Sequence, residues 1–215
     1  SEVKDILSFI WKKKDTGQKK MSKKNIKTIH YRRKREGKTD YKKRLNLLKS
    51  GIPRLVVRKT NRNIIAQIIE YSPEGDKVVN FVTSQNLQDY GWQLSKSNTS
   101  AAYLVGLLLA QKTKVKEANL DIGLQTPVKG SKLFAVLKGC VDGGLNVPHS
   151  KKVIPDENRI KGKNVEEYAK NLKEKDKEKF QKLFSSHIDN KIDFDKYEKY
   201  FEKVKNNIIE GNKND

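Results

Sequence analysis

Arg54-Leu-Val-Val-Arg-Lys59, Ile64-Ile-Ala-Gln-Ile-Ile-Glu-Tyr71 and Lys77-Val-Val-Asn-Phe-Val-Thr83 are three short runs dominated by β-branched residues. Thr60-Asn-Arg-Asn63 and Ser72-Pro-Glu-Gly-Asp76 separate them, and both are polar turn sequences. β-Branched side chains fit a pleated, half-buried surface better than a helix. The stretch therefore predicts three antiparallel strands joined as a meander.

Downstream the pattern changes. Asn98, Thr99 or Ser100 can cap a helix reaching about Thr113, and its run is apolar on nearly every side, which predicts burial. Asn119-Leu-Asp-Ile-Gly123 reads as a short inner strand. A second helix is expected over 131–141, with Leu133, Leu137, Cys140 and Val141 on one face and Gly143-Gly144 as its stop. Leu145-Asn-Val147 before Pro148 reads as one more short strand. A meander followed by alternating helices and strands predicts an α/β domain with a mixed sheet. Beyond Pro155 the chain turns highly charged and helical, over 164–171 and 176–184. Phe194, Tyr197, Phe201, Val204 and Ile208 then repeat at three- and four-residue steps, a narrow helical seam expected to pack back on its own domain.

Upstream lies a basic arm. The net charge is +21, and the 34 residues from Trp11 to Arg44 hold 16 Lys/Arg against Asp15, Glu36 and Asp40. Such self-repulsion adds nothing to a compact fold, so it implies a polyanionic partner. A membrane surface would need a broad apolar face beside the charge. Only Val3, Ile6, Leu7, Ile10 and Trp11 offer one, for about two helical turns. The longest apolar run, over 101–110, is too short to span a bilayer. The first residues do not read as a signal peptide, and one reading makes 1–20 an extension ahead of a second start at Met21. A single cysteine excludes an intrachain disulfide. A helix over 40–49, capped by Thr39 and ended by Ser50-Gly51, closes the arm. With few apolar residues and many like charges, the free arm is expected to be largely disordered.

Nucleic acid fits the arm best. Tyr31, Arg32, Arg33, Lys34, Arg35, Lys38, Tyr41, Lys42, Lys43 and Arg44 interleave cations with tyrosines. Arginine supplies planar forks for phosphate, and both residue types stack on bases. Lys129-Gly-Ser131-Lys132 is not a Walker loop, because Val128 stands where its second glycine is needed. It can still hold a phosphate at a helix start between two lysines. Catalysis is not expected. Cys140 lies on an apolar helix face, and His30, His149 and His187 match no metal-ligand spacing. A ribonuclease H-type nuclease needs grouped acids; the first strand has none, and Asp121 and Asp142 lack a third partner. Asp121→Asn is accordingly expected to leave RNA binding intact if the fold survives. No cofactor and no metal are expected.

Tyr31-Arg-Arg-Lys-Arg-Glu-Gly-Lys-Thr-Asp40, Ser50-Gly-Ile-Pro-Arg54, Leu120-Asp-Ile-Gly-Leu124, Leu137-Lys-Gly139, Val147-Pro-His-Ser150 and Arg159-Ile-Lys-Gly162 occur in the order seen in one family. Over about residues 31–170 the chain resembles the ribosomal protein L-eighteen family, in its archaeal branch. The resemblance implies a mixed-sheet α/β sandwich of ribonuclease H-like topology. It implies binding to 5S rRNA and large-subunit rRNA in the central protuberance of a cytoplasmic ribosome, beside ribosomal protein L-five. Arg54, Arg58, Lys59 and Arg62 around the first hairpin join the arm as expected RNA contacts, and His149 joins Lys129, Ser131 and Lys132. The expected organisation is a basic extension over 1–37, an α/β RNA-binding domain over 38–155 and a helical extension over 156–215. Residues 1–20 and Lys151, where an acid would be expected, depart from the family pattern. A metal-dependent nuclease and a general RNA chaperone are the alternatives.

Overall fold

The computed structural model describes residues 29–189 and 196–211; the amphipathic stretch at 3–11, Met21 and Phe194 fall outside them. Strands β1 (Arg54–Lys59), β2 (Ile64–Glu70) and β3 (Lys77–Thr83) form the expected antiparallel meander. A fourth strand, β4 (Asn119–Asp121), runs parallel to β1, so the sheet is mixed, in the order β3-β2-β1-β4. β4 is therefore an edge strand rather than the inner strand expected. The run 145–147 adds only an isolated bridge, Glu117 to Asn146. Gly143-Gly144 and Pro148 leave it three residues, too few to propagate a ladder.

Strand alternation divides the sheet into two unlike faces. Leu55 and Val57 point to one side with Ile64, Ala66, Ile68 and Val82, and all are buried. Helices α3 (Thr99–Lys112) and α4 (Lys132–Asp142) cover that side. α3 is buried from Ser100 to Ala110, as its all-apolar sequence predicts, and Asn98 caps it by accepting from the Ala101 N–H at 2.7 Å. The other face carries Arg54, Val56 and Arg58, with Ile65, Gln67 and Ile69 across the β1–β2 ladder.

The arm has more structure than its composition predicts. It forms a helical turn, α1 (Arg32–Arg35), and a helix, α2 (Tyr41–Leu48). Asp40, not Thr39, is the N-cap, since its carboxylate accepts from the N–H groups of Lys42 and Lys43 at 3.0 and 3.1 Å. The Thr39 hydroxyl instead accepts from Arg33 Nε at 2.9 Å. These local bonds, with an anchor at Arg44 described below, offset the repulsion that argued for disorder.

Beyond residue 155 lie α5 (Glu157–Lys161), α6 (Lys163–Lys175), α7 (Lys177–Asp189) and α8 (Tyr197–Glu210). Tyr197, Phe201, Val204 and Ile208 of α8 join the main core, as the seam predicts, and so does Ile160 of α5. Trp92 meets Tyr197 edge-on at 6.3 Å. Ala169 and Phe184 of α6 and α7 form a small cluster of their own. α5 and α8 thus contribute side chains to the main core.

Candidate nucleic-acid interface

A cleft of about 520 Å³ lies between the arm and the outer face of the sheet. Arg33, Lys38 and Lys43 face it from the arm, and Arg54, Val56 and Arg58 from β1. A chain of alternating charges runs along it. Arg44 Nη2 lies 2.8 Å from Asp76 Oδ1, and Asp76 Oδ2 accepts from Arg54 Nη2 at 2.7 Å. Arg54 Nη1 donates to Asp121 Oδ2 at 3.0 Å, and Asp121 Oδ1 takes Arg58 Nη2 at 3.1 Å. Arg54 is only 3% exposed. Strand parity puts this expected RNA contact on the outer face of the sheet, where Asp76 and Asp121 engage it. Arg58 also donates to the carbonyls of Val57 and Asp121, and its side chain stays 37% exposed.

The ladder ties the arm to the body and has a pH signature. Desolvation raises the Asp76 pKa, yet the hydrogen bonds and charges of Arg44 and Arg54 together outweigh it and hold that pKa below its ordinary value. A depressed carboxylate contributes stability above its unfolded pKa, about 4, and loses it as pH falls through the folded value. Asp76→Asn should therefore melt below the parent protein at neutral pH, and the gap should close below about pH 4. A gap that stays constant on acidification would show that Asp76 is not held this way.

The remaining arm residues stay at the surface. Tyr31 is 74% exposed, with its ring 5.2 Å from that of Tyr41. Arg32 and Lys38 share Glu36 at 3.6 and 2.9 Å. Lys34, Arg35, Lys42 and Lys43 are exposed. From residue 31 to 44 there are eight Lys/Arg and only two acids, Glu36 and Asp40, so most of the charge has no carboxylate to meet. Lys59 and Arg62 are exposed at the β1–β2 hairpin.

The second group of expected contacts lies apart from this cleft. Lys129 and His149 are exposed, and His149 Nδ1 sits 2.7 Å from the Val147 carbonyl oxygen. Ser131 stands at the N-cap of α4 without making a side-chain cap bond, and its hydroxyl is buried without a partner. Lys132 is partly buried; desolvation first, and then repulsion from Lys59, lowers its pKa. Arg159, noted in the sequence only within the motif Arg159-Ile-Lys-Gly162 and not as an RNA contact, approaches this region, with Nη1 lying 3.7 Å from where a Cβ on Gly130 would stand.

The two acids weighed for catalysis have other work. Asp121 holds two arginines, and Asp142 accepts from the Tyr103 hydroxyl at 3.0 Å and from Lys138 at 2.7 Å. Among the described residues no three His, Cys, Asp or Glu side chains group so as to hold a metal. Cys140 is fully buried, and burial pushes its thiol pKa up. Among the described residues no helix is long and apolar enough to cross a membrane. The model of a family described as ribosomal large subunit proteins 60S L5, and 50S L18, matches residues 25–117 and 111–150.

Proposed function

Because this chain belongs to the family of large-subunit ribosomal proteins 60S L5 and 50S L18, we propose that it is a structural RNA-binding protein that holds 5S rRNA in the central protuberance. The observation that carries the reading is the arm: eight cations within 14 residues against two acids, seven of them on two helices that have no buried residue. Arg32, Arg33, Lys34, Arg35, Lys38, Lys42 and Lys43 contact phosphate, while Tyr31 and Tyr41 are free to stack on unpaired bases. Lys59 and Arg62 extend the surface from the hairpin. Arg54 and Arg44 serve as positioning residues, since their guanidinium groups engage Asp76 and Asp121. The strand order β3-β2-β1-β4, with β1 parallel to β4, supports a ribonuclease H-like topology. Asp121 would have to give up two arginines to serve a metal, so hydrolysis is not favoured. The protein works in the cytoplasmic ribosome, against large-subunit rRNA and beside ribosomal protein L-five, with no membrane and no cofactor.

The test is salt-titrated binding to 5S rRNA and to an unrelated structured RNA. Each phosphate contact displaces condensed counterions, so log K falls with log salt by about 0.7–0.9 per contact. Replacing Arg32, Arg33 and Arg35 with alanine should flatten that slope by roughly 2 and weaken binding to both RNAs. Melting without RNA should stay unchanged, because α1 buries no residue. An unchanged slope would show that these arginines do not touch phosphate. Loss of preference for 5S rRNA in the parent's own comparison would favour a general chaperone.

A further inference from the structure

A second cleft, of about 230 Å³, opens where α3 begins, beside the β1–β2 hairpin. It shares no lining residue with the cleft beneath the arm. Ser97, whose hydroxyl donates to the Asn61 carbonyl at 3.0 Å, ties its rim to the hairpin turn. Lys132 and Arg159 enter from α4 and α5, and the lining contains no carboxylate and no aromatic ring. Among the described residues neither cation has an ion pair. A fold that partly buries a lysine ordinarily brings an acid to it. Here burial first, and then repulsion from Lys59, disfavours the charge on Lys132. The donors around the cleft are also in excess. Asn98 satisfies the N–H groups of Ala101 and Ala102, and those of Thr99 and Ser100 have no acceptor within α3.

We propose that this cleft is a phosphate-binding site in which Lys132 and Arg159 grip one phosphate group of the RNA backbone. The proposal rests on the RNA-binding function above and gives the body a contact independent of the arm. The space suits a phosphate with its waters, and the lack of aromatic lining removes any platform for a stacked base. Such a cation pair, unpaired in the free protein, favours ligand binding over stability.

That bias makes the proposal testable. The full chain is compared with a Lys132→Met/Arg159→Gln double variant and with the arm triple variant, over a salt series with 5S rRNA. The double variant should bind roughly tenfold more weakly and lose about 0.7–0.9 from the salt slope, one phosphate's share. Its melting temperature without RNA should equal or exceed the parent's, whereas a purely structural pair would lower it. If the arm variant flattens the slope and the double variant does not, the phosphate site is overturned and the RNA-binding reading stands. If neither flattens it, that reading fails as well. Acetylation of Lys132 in the parent, read by mass spectrometry, needs no variant. RNA should protect Lys132 while exposed Lys112 stays reactive. No protection overturns the site, and protection by inorganic phosphate but not by RNA reassigns it to the free ion.

Discussion

Asp121→Ala is expected to remove about 3–5 kcal/mol of folding stability. Asp121 is 8% exposed. It accepts from Arg54 and Arg58 and also from the Gly123 N–H at 2.8 Å. Without it, Arg54 stays 3% exposed with only Asp76 to balance its charge. Its Nε already has no partner, so the site has no spare acceptor to offer. The cost is therefore that of breaking a buried pair and leaving Arg54 one carboxylate short, not of a lost surface pair worth about 0–1 kcal/mol. Asp121→Asn keeps the shape and one acceptor oxygen and should cost less. The expectation that Asp121→Asn spares RNA binding thus depends wholly on its proviso that the fold survives. Urea unfolding measures the effect: the midpoint should fall with the slope unchanged. A loss below about 1 kcal/mol would mean that solvent reaches Arg54 once the carboxylate is gone.

Gly139→Ala should cost about 3 kcal/mol and lower the melting temperature by roughly 6–12 °C for a chain of this length. α3 and α4 meet backbone to backbone. A Cβ on Gly139 would stand 2.1 Å from the Tyr103 carbonyl oxygen and 2.9 Å from the Leu107 nitrogen. Reciprocally, a Cβ on Gly106 would stand 2.1 Å from the Val136 carbonyl oxygen. Neither obstacle is a flexible side-chain end, so the helices must separate to admit one methyl group. Separation would disturb the layer that covers Leu55, Val57 and Ile68. Alanine's better helix propensity, about 1 kcal/mol over glycine, acts in the opposite direction and is outweighed. The measurement is a thermal melt of parent and variant. An equal or higher melting temperature would show that α3 and α4 can part without penalty.

The sequence by itself determined what depends on near neighbours. β1 and β3 have the bounds read from their β-branched runs, because strand preference and polar turns act over a few residues. The all-apolar run at 101–110 required burial, and the spacing of Tyr197, Phe201, Val204 and Ile208 required one buried helical stripe. The charge imbalance of the arm needed only counting. Tertiary structure decided the rest, because it depends on which distant groups arrive. Arg54 and Arg58 look equivalent in sequence, four residues apart on one strand face. Arg54 is withdrawn from solvent by Asp76, 22 residues away, and by Asp121, 67 residues away. No local pattern specifies those meetings. Likewise α8 offers a stripe, but only the packed fold sets it against Trp92 and Tyr103. Lys132 and Arg159 come to line one cleft only when α5 folds back past the start of α3. Periodicity fixes which side of an element is apolar; the identity of its partner is set by long-range packing, where burial and charge pairing must be satisfied together.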